Sequence, residues 1–222
     1  MAKSKIIRDL ANGDVDVAKA LKRLKALLYE LNDPIIDSWI NNELTGYHVK
    51  ANLPNYRTTK GVLIGTFLVG TPSRALKYEN CPLPISKGND SIRNDLLTVN
   101  IYDSVSTIQQ IISSKDAVGA PIPPEVYPIL QNGTNISTII SATVKVDSSF
   151  LQNIIANVDS ILLDMLCVLE KKFGNLDELD FEMPEDKAEK EILLQCLTQF
   201  IFIDKSINIG NENRITDSEV KS

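Results

Sequence analysis

The chain has 222 residues, 43% of them hydrophobic, which is enough to bury a full core in one large domain. Its formal net charge of −6 argues against a surface devoted to nucleic-acid binding. The N-terminal lysines are not followed by an apolar stretch, and no apolar run reaches the length of a membrane span, so neither a secretory signal nor a membrane partner is predicted. Three widely spaced cysteines indicate free thiols and a cytoplasmic location.

The N-terminal part of the chain carries the pattern of two packed helices. The first is predicted over residues 3–11 and ends at the turn pair Asn12-Gly13. The second is capped by Asp14 or Asp16. Its apolar residues recur every three or four positions, as in helices that pack together: Val17, Leu21, Leu24, Leu28 and Leu31.

A third helix is predicted from Asp33-Pro34, an N-cap followed by a first-turn proline, to Gly46. It carries one apolar stripe, formed by Ile36, Trp39, Ile40 and Leu44. The segment that follows contains Pro54, Tyr56 and Arg57, and we expect it to fold back on the helix. The stretch from Asp33 to Arg57 holds the only Trp and the only His of the chain.

The middle of the chain predicts a small sheet. Strands are expected at residues 61–70, 74–78 and 140–146 and are an option at 97–101, while 92–97 is ambiguous. In the last of the expected strands Ile140, Ala142, Val144 and Val146 should face the core. A helix is predicted at 104–114, and the proline-rich residues 117–128 are expected to form a loop with one helical turn at 125–130.

Two long helices are predicted at the C-terminal end. The first begins after a cap at Asp147 or Ser148 and ends at Gly174. A charged connector over 177–191 leads into the second. The inward face of that helix is predicted to be Ala188, Ile192, Leu193, Cys196, Leu197 and Phe200. Residues 1–203 therefore predict a single α+β domain with an N-terminal three-helix unit, a small mixed or antiparallel sheet and long C-terminal helices. Residues 204–222 are an Asn-rich polar tail, either a linker toward a further domain or an ordinary terminus.

One block of residues carries a family resemblance. It reads WINNELTGY from Trp39 and LPNYR from Leu53, and it lies between LANGDVDVAKALKRLKALL and VDSSFLQNIIANVDSILLDMLCVLEKKFG. In these segments the chain resembles the AbiTii family of bacterial abortive-infection proteins, over about the first 175 residues and most densely over 8–57. The resemblance implies a role in defence against phage, but no catalytic residue set.

The same block supplies the candidate binding residues, which are Trp39, Glu43, Tyr47, His48, Tyr56 and Arg57. Trp39 and Glu43 are four residues apart and share a helix face. Two interpretations are open. In the first, the block is a structural brace in which Glu43 or Asp37 holds Arg57. In the second, Arg57 and an aromatic ring receive a phosphate or a peptide group.

The sequence contains none of the standard hydrolytic, nucleotide-binding or zinc-binding signatures, so no catalytic residue, metal ligand or cofactor is predicted. The leading hypothesis is a non-enzymatic sensing or interaction module of a phage-defence protein, with a phage-derived or host protein as its trigger. One alternative is a metal-dependent nuclease or nucleotide-acting enzyme with Mg²⁺ held by carboxylates. Another is an architectural domain that forms homo-oligomers through the helix at 148–173.

Overall fold

The computed structural model describes residues 3–71, 73–85, 90–114, 118–178 and 186–202. The α-helices within these residues are α1 Lys5–Asn12, α2 Val17–Leu27, α3 Pro34–Thr45, α4 Asp90–Leu97, α5 Val105–Ser114, α6 Tyr127–Gln131, α7 Ser148–Phe173 and α8 Lys187–Phe202. The strands are β1 Thr58–Lys60, β2 Val62–Val69, β3 Leu76–Pro82, β4 Thr98–Asn100, β5 Val118–Pro121 and β6 Ile136–Val146. The α+β class is confirmed, and the tail at 204–222 lies outside the described residues.

The strands form two antiparallel sheets. One contains only β1 and β4, and the other has four strands in the order β3-β2-β6-β5. In the larger sheet β2 pairs with β3 on one side and with β6 on the other, and β5 pairs with β6. The sequence left a mixed or an antiparallel sheet open. Every strand pairing in the described residues is antiparallel.

Aspartates start three of the helices, as the sequence predicted. The Asp33 carboxylate accepts hydrogen bonds from the N–H groups of Ile35 and Ile36, both at 2.9 Å, at the beginning of α3. Asp16 and Asp147 cap α2 and α7 by accepting one hydrogen bond each, from the N–H groups of Ala18 and Ser149. Each cap satisfies backbone donors that have no partner inside the helix and contributes about 1 kcal/mol.

The predicted inward face of α8 is partly wrong. Ile192 is 67% exposed, and Ala188 is also exposed. The buried residues of α8 are Leu193, Leu197 and Ile201, which follow one another at four-residue spacing. This row packs into the helical core, and Ile192 lies about 100° away from it around the helix axis.

The strands depart from the prediction in several places. Strand β1 was not predicted, and β3 covers Leu76–Pro82 instead of 74–78. Residues 118–121, expected in a loop, form the edge strand β5, where Pro121 is tolerated because an edge strand needs only one row of hydrogen bonds. Strand β6 begins at Ile136, and Ile140 is 52% exposed instead of buried. Opposite Thr66 and Phe67 of β2, strand β6 carries one extra residue, Ile140, and this bulge moves the inward position to Ile139.

The domain has a helical core and a core beneath the sheet. The helical core contains buried residues of α1, α2, α3, α7 and α8 together with Val105 of α5. A smaller cluster of Ile101, Ile108, Leu151 and Ile154 joins α5 to the first turns of α7. By length and composition alone α7 could cross a membrane, but its apolar residues from Ile154 to Leu169 belong to these cores. We therefore interpret α7 as the central helix of a globular domain.

The N-terminus is fastened to the end of α7 by Glu170. The Glu170 carboxylate accepts from Ser4 Oγ and Lys3 Nζ, both at 2.7 Å, and from the Ser4 backbone N–H at 2.5 Å. Ser4 Oγ in turn accepts from the Leu176 N–H at 2.8 Å. Partial burial alone would raise the pKa of Glu170, but these hydrogen bonds outweigh it and lower the pKa to about 2.

This clamp predicts a specific acid sensitivity. Because the folded-state pKa of Glu170 lies below the ordinary value of 4.5, its contribution to stability is complete above that value and is lost as the pH falls toward 2. Glu170→Gln is expected to lower the free energy of unfolding by about 1–2 kcal/mol near neutral pH, since the contact with the exposed Lys3 is screened by solvent. Urea titrations of both proteins over this pH range should converge on acidification. An unchanged difference at low pH would contradict the assignment.

Candidate functional site

Five of the six predicted site residues form one group, which we call the Glu43 cluster: Trp39, Glu43, Tyr47, Tyr56 and Arg57. Trp39 and Glu43 project from α3, and Tyr47 follows its last turn. Tyr56 and Arg57 lie in a short 3₁₀ turn that leads into β1. The chain between them folds back on α3, as the sequence predicted, and thereby brings both halves of the block together.

A fully buried ion pair lies at the centre of the Glu43 cluster. The side chains of Glu43 and Arg57 are both 0% exposed. Arg57 Nε donates to Glu43 Oε1 at 3.1 Å and Arg57 Nη2 donates to Glu43 Oε2 at 2.5 Å. This is the two-point geometry that a guanidinium and a carboxylate favour. Of the two carboxylates that the sequence offered as partners for Arg57, the structure selects Glu43 and not Asp37.

The aromatic side chains of the cluster turn their polar atoms toward the same carboxylate. The hydroxyls of Tyr47 and Tyr56 donate to Glu43 Oε1 at 2.8 and 2.7 Å. The indole N–H of Trp39 donates to the Tyr56 oxygen at 2.9 Å. Glu43 therefore accepts from three side chains at once, which satisfies its charge inside the protein.

Arg57 also fastens the segment before α5. Its Nη1 donates to the backbone carbonyls of Ile101 at 3.1 Å and Asp103 at 2.8 Å, and its guanidinium lies 4.7 Å from the centre of the Tyr47 ring. The Tyr47 N–H donates to the Tyr102 carbonyl at 2.7 Å. The cluster thus joins α3, the 3₁₀ turn and residues 101–103 into one unit.

Burial and charge keep these groups in one protonation state. Burial, followed by the negative charge of Glu43, raises the pKa of Tyr47 and of Tyr56 well above the ordinary range. Burial alone would lower the pKa of Arg57, but its hydrogen bonds and ion pair with Glu43 outweigh that effect and raise it. Neither the tyrosines nor the arginine is therefore set up to exchange a proton near neutral pH.

An open cleft of about 460 Å³ lies beside the cluster, and we call it the α3 cleft. Its lining residues come from α3, the segment 47–56 and the helices α7 and α8: Pro34, Ile35, Ser38, Trp39, Asn42, Tyr47, Asn52, Leu53, Pro54, Asn55, Tyr56, Asn157, Ile161, Ile201 and Phe202. The volume lies within the range of pockets that bind ligands in proteins. Three members of the Glu43 cluster, all aromatic, contribute to this surface.

Comparison with a family model gives a match to AbiTii over residues 4–193, nearly the whole chain. This chain belongs to the AbiTii family. The resemblance drawn from the tryptophan-to-arginine block is thereby confirmed, and it makes the chain a bacterial abortive-infection protein that acts in antiviral defence. Searches of curated proteins and of solved structures found no match.

In this AbiTii chain the sixth predicted site residue, His48, lies apart from the Glu43 cluster. His48 is exposed, and its Nδ1 accepts a hydrogen bond from the Lys50 N–H at 3.2 Å. The structure therefore does not combine His48 with the aromatic residues and the ion pair. Among the described residues of the AbiTii chain, no three His, Cys, Asp or Glu side chains are grouped so that they could hold a metal ion.

The structure adds site residues that the sequence analysis missed. Asn157 and Ile161 of α7 and Ile201 and Phe202 of α8 form the far wall of the α3 cleft in this AbiTii domain. They lie a hundred or more positions beyond the tryptophan-to-arginine block, and nothing in their local sequence marks them. The apolar pattern of α7 predicted its buried face, but the partner of that face becomes visible only in the folded chain.

Proposed function

We propose that this chain is the non-enzymatic sensing or interaction module of an abortive-infection protein, and that the α3 cleft is its recognition surface. The trigger would be a phage-derived or host protein. The observation that carries the proposal is that the charged and the aromatic residues of the block differ in accessibility. Glu43 and Arg57 are buried in an ion pair, while the aromatic residues beside them line an open cleft.

The buried pair fits poorly with chemistry on a substrate. Both oxygens of Glu43 accept from Arg57, and Oε1 also accepts from Tyr47 and Tyr56. A Mg²⁺ ligand needs carboxylate oxygens that an ion can approach, and Glu43 offers none without unfolding its surroundings. Arg57 is equally inaccessible, so it cannot bind the phosphate group that the sequence analysis considered as its ligand. These contacts favour recognition over the nuclease alternative.

The oligomerisation alternative required an unpartnered face on α7. Its large apolar residues Ile154, Val158, Leu162 and Leu166 are all fully buried within the chain itself. They pack against other helices of the same chain. A homo-oligomer would therefore have to use a different surface, and the α3 cleft is the better candidate for contact with a partner.

The proposal predicts that a charge placed in the α3 cleft abolishes defence. Ile35 lines the cleft, is 46% exposed and is the second residue of α3, where a glutamate is compatible with the helix dipole. The change to test is Ile35→Glu, in the natural full-length protein. Cells that carry it are expected to lose phage protection to the level of cells without the gene, as measured by plaque counts.

A matched control separates this effect from a general response to a surface charge. Ile129 of α6 is 43% exposed and does not line the cleft, so Ile129→Glu should keep full protection. Immunoblots and thermal melts should show equal abundance and melting temperature for both variants. Full protection with Ile35→Glu, or Mg²⁺-dependent cleavage of nucleic acid by the purified protein, would contradict the proposal.

A further inference from the structure

The α3 cleft is uncharged in a protein that is otherwise rich in charge. Charged residues make up 23% of the chain, yet none of the fifteen residues that line the cleft is Asp, Glu, Lys, Arg or His. The two charges of the adjoining Glu43 cluster, Glu43 and Arg57, are buried and neutralise each other. A charged group that entered the cleft would lose water without gaining a counter-ion, which is costly. The occupant must therefore be uncharged where it contacts the cleft.

The polar atoms of the aromatic residues that line the cleft are bound within the Glu43 cluster. The N–H of Trp39 is bound to Tyr56, and the hydroxyls of Tyr47 and Tyr56 are bound to Glu43. These bonds leave the carbon surfaces of the rings for the cleft. Buried aliphatic residues, Ile161 and Ile201, complete the inner surface. Such a surface binds an apolar side chain, as the anchor pockets of protein interfaces do.

Amide side chains supplement this apolar surface. Asn42, Asn52 and Asn157 line the cleft, and all three are at least partly exposed to solvent. Asn42 and Asn157 each donate one hydrogen bond within their own helix, to Ser38 Oγ and to the Asn153 carbonyl. An amide side chain has a second N–H donor and an acceptor oxygen, and a peptide group has a matching acceptor and donor. Side chains of this type can bind the backbone of an extended chain without regard to its charge. Their presence favours a peptide over a hydrocarbon as the occupant.

Two exposed apolar side chains on the lining distinguish a protein partner from a small molecule. Ile35 is 46% exposed and Phe202 is 68% exposed. A small ligand seated inside the cleft would leave most of this apolar surface in water. A segment of a larger partner would cover it and gain about 25 cal/mol for each square ångström removed from water.

We infer that the α3 cleft binds an uncharged segment of a partner protein, with an apolar side chain of that segment seated against Trp39 and Tyr56. This inference rests on the proposed role of the cleft in recognition and adds the chemistry of the partner. It predicts that the cleft discriminates against a charged residue at the position whose side chain sits against Trp39 and Tyr56. The asparagine side chains of the lining form hydrogen bonds with the backbone of the bound segment.

Trp39 provides a direct measurement, since it is the only tryptophan of the chain and lines the cleft. The probes are capped pentapeptides of alanine with a central Leu, Phe, Tyr or Pro, and matched peptides with a central Glu or Lys. At least one uncharged peptide is expected to change Trp39 fluorescence saturably. The charged peptides should bind about tenfold more weakly or worse. Ile129→Glu should bind like wild type, and Ile35→Glu should lose binding.

The outcomes separate this inference from the function on which it rests. Equal binding of charged and uncharged peptides, or no saturable change with any peptide up to about 1 mM, overturns the inference. If small uncharged aromatic molecules change Trp39 fluorescence saturably and no peptide does, the inference is overturned in favour of a small ligand. If Ile35→Glu still abolishes phage protection in either case, the recognition role of the cleft survives. If Ile35→Glu keeps protection, that role fails whichever peptides bind.

Discussion

Glu43→Ala is expected to destabilise the domain by about 3–5 kcal/mol, because removal of one partner leaves a buried charge without compensation. Arg57 would remain 0% exposed with only two backbone carbonyls as acceptors, and the hydroxyls of Tyr47 and Tyr56 would lose their shared acceptor. The loss is comparable to the whole stability of many domains. Urea denaturation followed by circular dichroism measures it directly.

A double-mutant cycle with Arg57→Ala tests whether the loss comes from the ion pair. The doubly substituted protein should be less destabilised than the sum of the single changes, with a coupling energy of about 1–3 kcal/mol. Asp37→Ala is the matched control, since Asp37 is a partly exposed carboxylate in the first turn of the same helix. It should cost less than about 1 kcal/mol. Simple additivity of Glu43→Ala and Arg57→Ala would show that the pair does not act as a unit.

The helices of this protein could be predicted from the sequence because their signals are local. Asp33, Asp16 and Asp147 each accept from backbone N–H groups one turn or less away, so a cap and the helix that it starts lie side by side in the chain. The 26 residues of α7 follow one apolar period from cap to terminal glycine. The orientation of α8 was harder to predict, because Ile192 and Leu193 are equally apolar and only packing decides which one is buried.

The sheet could be predicted only in part, because pairing is not local. Strands β1 and β4 have three residues each and are stabilised by each other across about forty positions. The alternation of β6 fails because this strand carries one extra residue, Ile140, between the partners of Thr66 and Phe67. The local sequence does not reveal this bulge, since Ile139 and Ile140 are equally apolar and only the pairing decides which one faces the core.

The candidate site was also predictable only in its local part. The spacing of Trp39 and Glu43 and the turn expected at Pro54 were sufficient to predict that Glu43 or Asp37 could hold Arg57, and the structure shows the pair with Glu43. The cleft was not predictable, since α7 and α8 form its far wall. Of the two interpretations offered by the sequence, the structure shows the brace, since Glu43 holds Arg57. The pocket in which Arg57 itself receives a group does not fit its burial, and binding at the aromatic residues stays a prediction. The polar atoms of the cluster brace the fold, and the ring carbons line the cleft.

Trp39→Ala is the second large effect that we expect, at about 3–5 kcal/mol of lost stability. Trp39 is only 4% exposed and belongs to the helical core, so its truncation leaves a cavity that α3 and α8 cannot fill without moving. Its indole N–H also orients Tyr56, which donates to Glu43. The measurement requires circular dichroism or calorimetry, because the substitution removes the only tryptophan of the chain.

Trp39→Phe separates the two contributions of this side chain. Phenylalanine keeps most of the apolar volume and loses the donor to Tyr56, so a cost of about 1–2 kcal/mol is expected, well below that of alanine. If Trp39→Ala instead has the melting temperature of the wild-type protein and yet abolishes phage protection, Trp39 contributes to recognition alone. In that case the packing of its side chain does not stabilise the fold. We expect Trp39→Ala to lose both stability and protection and Trp39→Phe to keep most of the stability, because Trp39 is almost fully buried in the helical core and also lines the cleft.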